Sequence, residues 1–427
     1  MSLKYFILLV IVPQLSLGAT YYLSPAGSDT NPGTLSKPWK TLDRLQDAQS
    51  ILKAGDIIYF RGGNYIINDS TKRDYYSWNS AKTATAAAPI SYKNYPGEKP
   101  IIVGDRRTKS PGTLIYLQNY VTIDGLTFQE TSGQRLAGGH GDDPNKRHNG
   151  YAWTAISTWA TGVAIRNVSI QGWTLGMFYA GSKIIFEKNR ITNTRSHRLY
   201  ISGSSGIFRN NILEGTYGYW NQQGFQVQYL KAVGNKIHNN IIYEGKANGF
   251  VLSGQVSNNE IFNNVFINPG NKSASVSGPG VMIGLWCEDG PTGLGNKVYN
   301  NTFMGMTKNA VLSDPLTPKC NGIRPASRVE MRDNIFYPSN KIAVGLTQNY
   351  TNIKNNIFYN ISNSAPSGNR LVDPLLVNSR GTTSASAMLR SGSPAIDAGK
   401  STLFPSSDYN GRKRPQGKTY DIGAFEY

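Results

Sequence analysis

Two short stretches of this chain hold side chains that could transfer protons. One is residues 197–200, with the sequence HRLY, and the other begins at Gln226 and ends at Lys231. His, Arg, Tyr and Lys can act as general acids or bases or can bind an anion, and glutamine amides can bind polar groups. We therefore expect one catalytic group that contains His197, Arg198, Tyr200 and Lys231.

Amide, aromatic and basic residues near these stretches could bind a substrate. Aromatic rings offer flat apolar faces, and basic side chains can hold an anionic group. Each catalytic candidate also has a structural interpretation, because Arg198 and Lys231 could be solvated charges. His197 could only hydrogen-bond to a turn, and Tyr200 could simply favour a strand. The expected binding residues are Gln226, Gln228, Tyr229, Trp220, Trp286, His140 and Arg147.

A repeated phrase indicates the elements that must position these residues. A short polar phrase ends in asparagine and is followed within two residues by an aliphatic residue or threonine. The asparagines are Asn189, Asn211, Asn240, Asn264, Asn301, Asn334 and Asn356, at spacings of 22, 29, 24, 37, 33 and 22 residues. A minimum near 22 with a variable excess is typical of one supersecondary unit that accepts loop insertions.

Between the phrases, apolar residues alternate with period two, as strands require. The repeat therefore predicts an all-β solenoid, a parallel β-helix of about ten coils, in which each asparagine hydrogen-bonds to its equivalents in adjacent coils. The alternation directs Leu199, Ile201, Phe225 and Val227 inward. It directs Arg198, Tyr200, Gln226 and Gln228 outward, towards a groove beside the inserted loops.

Both ends of the chain depart from the repeat. Residues 1–18 contain the apolar run YFILLVIV at 5–12, which is typical of a secretory signal peptide and is too short to span a membrane. Thr41 is the predicted N-cap of a helix that covers the open end of the β-helix. We expect the β-helix and its N-terminal cap over residues 19–365 and a closing segment packed on it over 366–427.

The chain is strongly basic, with 44 Lys and Arg against 26 Asp and Glu and a formal net charge of +18 at pH 7. Such a charge attracts polyanions. Nucleic acid would be the default partner in the cytoplasm, but an exported protein meets acidic polysaccharide instead. We expect an acidic polysaccharide as partner, no nucleic acid, no membrane span, and a monomer that is secreted to the periplasm or the extracellular space.

Five segments resemble one family of exported proteins. Residues 22–34 (YLSPAGSDTNPGT), 61–65 (RGGNY) and 95–100 (YPGEKP) resemble secreted right-handed parallel β-helix proteins of the pectate lyase-like superfamily, and residues 393–399 (SPAIDAG) with the end of the chain resemble their terminal segment. The resemblance covers nearly the whole chain. It implies a right-handed parallel β-helix and export, but it does not fix the chemistry, because the superfamily includes lyases, hydrolases, epimerases and adhesins.

The positions of the carboxylates discriminate among these chemistries. A glycoside hydrolase usually needs two carboxylates. The leading strand that we expect in each of five central coils contains none, and these strands are Leu175–Tyr179, Arg198–Ser202, Gly224–Tyr229, Gly249–Ser253 and Val281–Trp286. A glycoside hydrolase or uronate epimerase that uses Asp142, Asp143, Glu288 or Asp289 stays an alternative. The four-carboxylate calcium cluster of some pectate lyases is not evident, so calcium is left open and no other cofactor or metal is expected. Whether Cys287 and Cys320 form a disulfide is also open.

β-Elimination has different requirements. The carboxylate of a uronic acid must be neutralised, a base must remove the C5 proton, and an acid must protonate the O4 leaving group. His, Arg, Tyr, Lys and Gln can do this, so the sequence favours a polysaccharide lyase that acts on alginate, pectate or a similar polymer. A surface protein that binds glycan without cleaving it is the second alternative.

Overall fold

Strands stack into three long parallel sheets in the computed structural model. Within the described residues, sheet I has 12 strands, sheet II has 11 and sheet III has 9, and consecutive strands of each sheet are one coil apart. These numbers confirm the predicted parallel β-helix of about ten coils. The structure describes residues 18–68, 75–79, 82–105, 113–131, 154–173, 175–194, 197–216, 224–228, 232–243, 248–268, 280–283, 293–313, 328–346, 352–400 and 404–427.

Each coil visits the three sheets in a fixed order. Sheet I precedes the asparagine phrase and comprises Thr20–Leu23, Ile57–Phe60, Ile90–Asn94, Val121–Asp124, Ala164–Arg166, Ile185–Glu187, Ile207–Arg209, Lys236–His238, Glu260–Phe262, Asn296–Tyr299, Val329–Arg332 and Ile353–Lys354. Sheet II follows the phrase and comprises Gly63–Asn68, Pro100–Asp105, Thr127–Glu130, Ser169–Gln171, Arg190–Thr194, Ile212–Thr216, Ile241–Tyr243, Val265–Ile267, Thr302–Met304, Ile335–Tyr337 and Ile357–Phe358. Sheet III comprises Tyr76–Trp78, Thr113–Leu117, Thr154–Thr158, Leu175–Tyr179, Leu199–Ile201, Phe225–Gln228, Phe250–Ser253, Val281–Ile283 and Val311–Ser313.

The interior of the β-helix is filled by equivalent apolar side chains of successive coils. Leu199, Ile201, Phe225 and Val227 belong to this core, as the alternation predicted. Sheet II contributes a stack of phenylalanine rings whose centroids are 4.4, 4.8 and 4.8 Å apart, formed by Phe266, Phe303, Phe336 and Phe358. Parallel strands place identical positions above one another, so a single favourable pair is repeated along the axis.

The predicted asparagine ladder lies at the turn between sheets I and II. The backbone N–H of Asn211 donates to Oδ1 of Asn240 at 3.0 Å, and the Asn211 amide donates to the carbonyl of Phe186. The same pattern continues through the later phrases to Asn369. The residue before each ladder asparagine has a positive φ, as at Asn210 (57°). Asparagine tolerates this conformation, which explains the Asn-Asn pairs.

A second, shorter ladder was not predicted. The backbone N–H of Asn235 donates to Oδ1 of Asn259 at 3.0 Å, and that of Asn259 donates to Oδ1 of Asn296 at 3.2 Å. These residues lie at the turn between sheets III and I. Each precedes its main-ladder asparagine by five positions in the sequence, which is the signal that could have identified them.

A short helix covers the first coils. The helix Leu42–Asp47 continues as the 3₁₀ turn Ala48–Ser50, and Oγ1 of Thr41 accepts from the backbone N–H of Arg44 at 3.1 Å, which confirms the N-cap. Oε1 of Gln46 accepts from the N–H of Ser77 at 2.7 Å, and Oε1 of Gln49 accepts from the N–H of Asn79 at 2.6 Å. The cap therefore pairs with donors at the edge of sheet III that would otherwise be open.

Residues after 366 pack on the outer face of sheet II. Their apolar side chains, including Leu376 and Phe425, form a second core with Ile241 and Val265. They include the 3₁₀ turn Ser384–Ala387. The positive-φ residues of the phrases also bind this segment, as Asn300 does by donating to the carbonyl of Asp421 at 3.0 Å. No helix among the described residues has the length and hydropathy required to cross a membrane.

Candidate active site

The predicted site lies on the outer face of sheet III. Strand register places Tyr200 between Phe178 and Gln226, and places Val251 beyond Gln226. From Leu199 onwards the alternation holds, so Tyr200, Gln226 and Gln228 lie on the outer side as predicted. Phe178 and Tyr200 pack together with Leu175 in an apolar cluster separate from the interior core.

Four of the predicted residues converge. Oη of Tyr200 donates to Oε1 of Gln228 at 2.6 Å, and Nε2 of Gln226 donates to the same oxygen. The imidazole centroid of His197 is 5.7 Å from that of the Tyr200 ring. His197 is half-buried, whereas Tyr200, Gln226 and Gln228 expose 9%, 1% and 6% of their surface. We call these four residues the polar group.

Among the described residues, two buried oxygen atoms at the polar group have no hydrogen-bond partner. They are Oε1 of Gln226 and Oγ of Ser202, and Ser202 exposes 5% of its surface. A buried acceptor without a partner costs about 1–3 kcal/mol, so such atoms are uncommon unless they bind a ligand or water. Ser202 directly follows the strand Leu199–Ile201 and was not among the predicted site residues. The two atoms indicate that the polar group has unused binding capacity.

Arg198 is not on the outer face, and this prediction was wrong. The residue is fully buried, and its Nη2 donates to the carbonyl of Tyr243 at 2.9 Å. It lies in a bend just before the strand begins at Leu199, where the alternation does not apply. A Cβ on Gly224, in the next coil, would lie 3.6 Å from Nη1 of Arg198, so the guanidinium occupies space that this glycine leaves open.

Comparison with known proteins identifies the family. The family model described as "Pel9A-like, right handed beta helix region" matches residues 21–324, which are most of the chain. The chain belongs to the Pel9A-like right-handed β-helix family. Its right-handed coils and its membership of the pectate lyase-like superfamily, both expected from the resemblance, are thereby confirmed.

Relatives of this Pel9A-like chain share only short segments with it. A pectate lyase, PEL9, from Emericella nidulans is 36% identical over 98 residues, which are 23% of this chain and 22% of the relative. The uncharacterized protein YwoF from Bacillus subtilis is 29% identical over 119 residues, 27% of this chain and 23% of the relative. The chain therefore spans less than a quarter of the length of either curated relative.

Solved structures match the whole Pel9A-like fold. The pectate lyase Pel9A has a TM-score of 0.55 and 16% identity, and the match covers 97% of each chain. XylC in complex with xylose has a TM-score of 0.56 and 12% identity over 95% of this chain and 98% of that one. At these identities the likeness concerns the fold and not the chemistry.

Several predicted residues of the Pel9A-like chain lie outside the described ranges. They are the catalytic candidate Lys231, the binding candidates Tyr229, Trp220, Trp286, His140 and Arg147, the alternative carboxylates Asp142, Asp143, Glu288 and Asp289, and the cysteines Cys287 and Cys320. Their roles stay predictions.

The described part of the Pel9A-like chain does not provide a metal site. Within it, no three His, Cys, Asp or Glu side chains come close enough together to hold a metal ion. Calcium prefers six to eight oxygen ligands with several carboxylates, and the polar group offers amide and hydroxyl oxygens only. The residues of this group therefore do not fit a calcium site of their own, and calcium stays an open prediction.

Proposed function

We propose that this protein is a secreted polysaccharide lyase that cleaves a uronic-acid polysaccharide, such as pectate or alginate, by β-elimination. The observation that carries the proposal is the convergence of His197, Tyr200, Gln226 and Gln228, in which Oε1 of Gln228 accepts from two of the side chains and Oε1 of Gln226 has no partner among the described residues. The similarity to the pectate lyases PEL9 and Pel9A and the net charge of +18 support it. The polar group contains a base, an acid and polar binding atoms but no carboxylate pair, which suits elimination better than hydrolysis.

The proposed reaction uses one base and one acid. His197 removes the C5 proton, the electron pair forms the C4–C5 double bond, and the C4–O4 bond breaks. Tyr200 then protonates O4, because its hydroxyl already acts as a donor towards Gln228. Lys231, three residues after Gln228, is the cation that we expect to neutralise the uronate carboxylate.

Gln226 binds a sugar hydroxyl in this proposal. Its Nε2 donates to Gln228, so Oε1, which can only accept, is the side-chain atom available to bind a ligand. An acceptor binds a donor, and the donors on a uronic-acid chain are its hydroxyl groups, whereas the carboxylate can only accept. In this proposal the uronate carboxylate is therefore bound by Lys231 and not by Gln226.

The test is the ultraviolet absorbance of the unsaturated uronate released from pectate, alginate and glycosaminoglycans. We expect product from at least one polymer, and we expect Tyr200→Phe to lower kcat by roughly 10²–10⁴-fold. Tyr427→Phe, which changes an exposed tyrosine far along the chain, is the matched control and should retain full activity. Absence of unsaturated product from every polymer would contradict the proposal, and reducing sugar without absorbance would indicate a hydrolase.

A further inference from the structure

Five aromatic side chains form an unbroken series along the outer side of sheet III. Successive ring centroids are 5.2, 5.7, 5.2 and 5.5 Å apart, in the order Tyr75, Tyr116, Trp159, Phe178 and Tyr200. The series starts in the first coils and ends at the polar group. We call it the aromatic track.

Trp159 keeps the track continuous where a small side chain interrupts the aligned rings. Strand register aligns Ser157 between Tyr116 and Phe178, which are two coils apart. The indole of Trp159, two residues further along the same strand direction, contacts both neighbouring rings and so bridges the gap at the serine. Ser77 is aligned with Tyr116 on its other side. Hydroxyl and amide groups therefore lie beside the rings, including Gln118, whose Nε2 donates to Oγ of Ser77 at 3.1 Å.

Two rings of the track are exposed, and both lie away from the polar group. Tyr200 and Phe178 expose 9% and 3% of their surface, whereas Trp159 exposes 53% and Tyr75 exposes 55%. The other tryptophans among the described residues, Trp39, Trp78 and Trp173, are fully buried. Exposed large rings in a line that leads into a site have a binding role more often than a structural one.

We propose that the aromatic track binds further sugar units of the polysaccharide on the N-terminal side of the polar group. This inference rests on the proposed function for the identity of the polymer. The C–H face of a pyranose ring packs on the negative face of an aromatic ring. The sugar hydroxyls meet the half-buried side chains of Ser77 and Gln118 beside the track. The rings form a line along the β-helix axis and not a broad patch, which suits a narrow, hydroxyl-rich chain better than a protein surface.

Affinity electrophoresis in gels that contain polygalacturonate or alginate tests the track without turnover. All variants are made in the Tyr200→Phe background, so that the polymer is not degraded. Trp159→Ala and Tyr75→Ala should each weaken retardation by about tenfold in polymer concentration, and Trp159→Phe should weaken it less. Trp159→Ala could disturb packing, because Trp159 contacts two rings of the track. Tyr75 contacts only Tyr116 within the track, so Tyr75→Ala tests the same inference without a change to the core. Tyr427→Ala, which removes another exposed ring, is the matched control and should not change retardation.

Equal retardation of the background protein, Trp159→Ala and Tyr75→Ala would overturn the inference, and so would a lack of retardation by both polymers. Failure of the proposed function has a different signature. In that case the protein with Tyr200 intact would release no unsaturated uronate, while the retardation and its loss in the track variants would persist.

Discussion

At the scale of single residues, Gln226 combines burial with an unused hydrogen-bonding atom. It exposes 1% of its surface, and its Oε1 has no partner in the part of the chain that the structure describes. Evolution toward stability alone favours an apolar side chain at such a position, because an unpaired buried acceptor is destabilising. Its presence is therefore best explained by a ligand that supplies the missing donor.

Replacement of Gln226 should separate stability from substrate binding. We expect Gln226→Leu to leave the free energy of unfolding unchanged or to raise it by about 1 kcal/mol, because the unpaired oxygen is removed. We also expect KM to rise about tenfold, because one hydrogen bond to the substrate is lost. Urea unfolding and initial rates on the active polymer measure the two effects. A loss of stability above about 2 kcal/mol with unchanged KM would show that Gln226 is structural.

Glu187 should make stability depend on pH. Burial raises the pKa of Glu187, but the hydrogen bonds and charges of Arg209 and Arg166, both at 2.7 Å, outweigh it and hold this pKa below its ordinary value of 4.5. A lowered carboxylate pKa stabilises the fold above the unfolded-state pKa and ceases to do so as the pH falls through the folded-state value.

Glu187→Gln tests this dependence. Both arginines are partly exposed, so we expect the variant to lose about 1 kcal/mol at neutral pH. The difference from the native chain should shrink as the pH falls below 4.5. Chemical unfolding across a pH series measures it. A difference that stays constant with pH would mean that packing and not charge accounts for the loss.

The sequence correctly predicted on which side of the sheet a residue lies within strands, but not at the bend that precedes a strand. Tyr200, Gln226 and Gln228 obey the period-two rule, which made their side of the sheet predictable. Arg198 precedes the strand by one residue, and a bend there directs its side chain towards Tyr243 instead. The aromatic track was missed for a related reason. Trp159 follows the last strand residue, Thr158, so the strand pattern did not include it.

At the scale of elements, the asparagine ladder should dominate the stability of the turns. Asn264 accepts from the backbone N–H of Asn240 at 3.0 Å and donates to the carbonyl of Ile237 at 2.8 Å. Asn264→Ala leaves this buried N–H and carbonyl unpaired, and we expect it to lower the free energy of unfolding by about 3 kcal/mol.

The end of the ladder provides the matched control for this prediction. Asn369 is only half-buried and has one ladder neighbour, so solvent can replace part of its hydrogen bonding. We expect Asn369→Ala to cost about 1 kcal/mol. Thermal or urea unfolding of the two variants measures the contrast. Equal losses would mean that burial of the turn does not set the contribution of each asparagine.

The sequence predicted the main ladder because its phrases keep an apolar residue in register after the asparagine. The second ladder has only three members, Asn235, Asn259 and Asn296, and its neighbours in sequence include glycine and serine, which are common in any turn. Asparagine is common in turns, so three asparagines without a distinctive neighbour cannot be recognised as a ladder from the sequence. Long-range register, which only the folded coils supply, makes the short ladder visible.

At the scale of the whole molecule, the closing segment depends on a buried ion pair. Nη1 of Arg414 is 2.5 Å from Oε1 of Glu426, and their side chains expose 0% and 1% of their surface. Arg414 also donates to the carbonyls of Asp421 and Gly423. The pair thus ties the last residues of the chain to the turn before them.

Loss of one partner of this pair should detach the closing segment. We expect Glu426→Gln to lower stability by about 3–5 kcal/mol, because the arginine charge stays buried without its carboxylate. The double variant Arg414→Met with Glu426→Leu should recover part of this loss, since neither position then carries a buried charge without its partner. Denaturant unfolding and limited proteolysis near the C-terminus measure both. A double variant as unstable as the single one would show that the hydrogen bonds of Arg414, and not its charge, fix the segment.

The hydrogen bonds of the main ladder all point the same way. In every link the backbone N–H of one coil donates to the side-chain oxygen of the coil that follows it, from Val168 to Asn189 and onward to Asn356 and Asn369. The stack therefore has a polarity, and no coil is complete until its successor exists. A chain made from its N-terminus would carry one open donor at its growing front. Asn369 is the last residue of the ladder, and its side-chain amide donates to the carbonyls of Ile353 and Pro366.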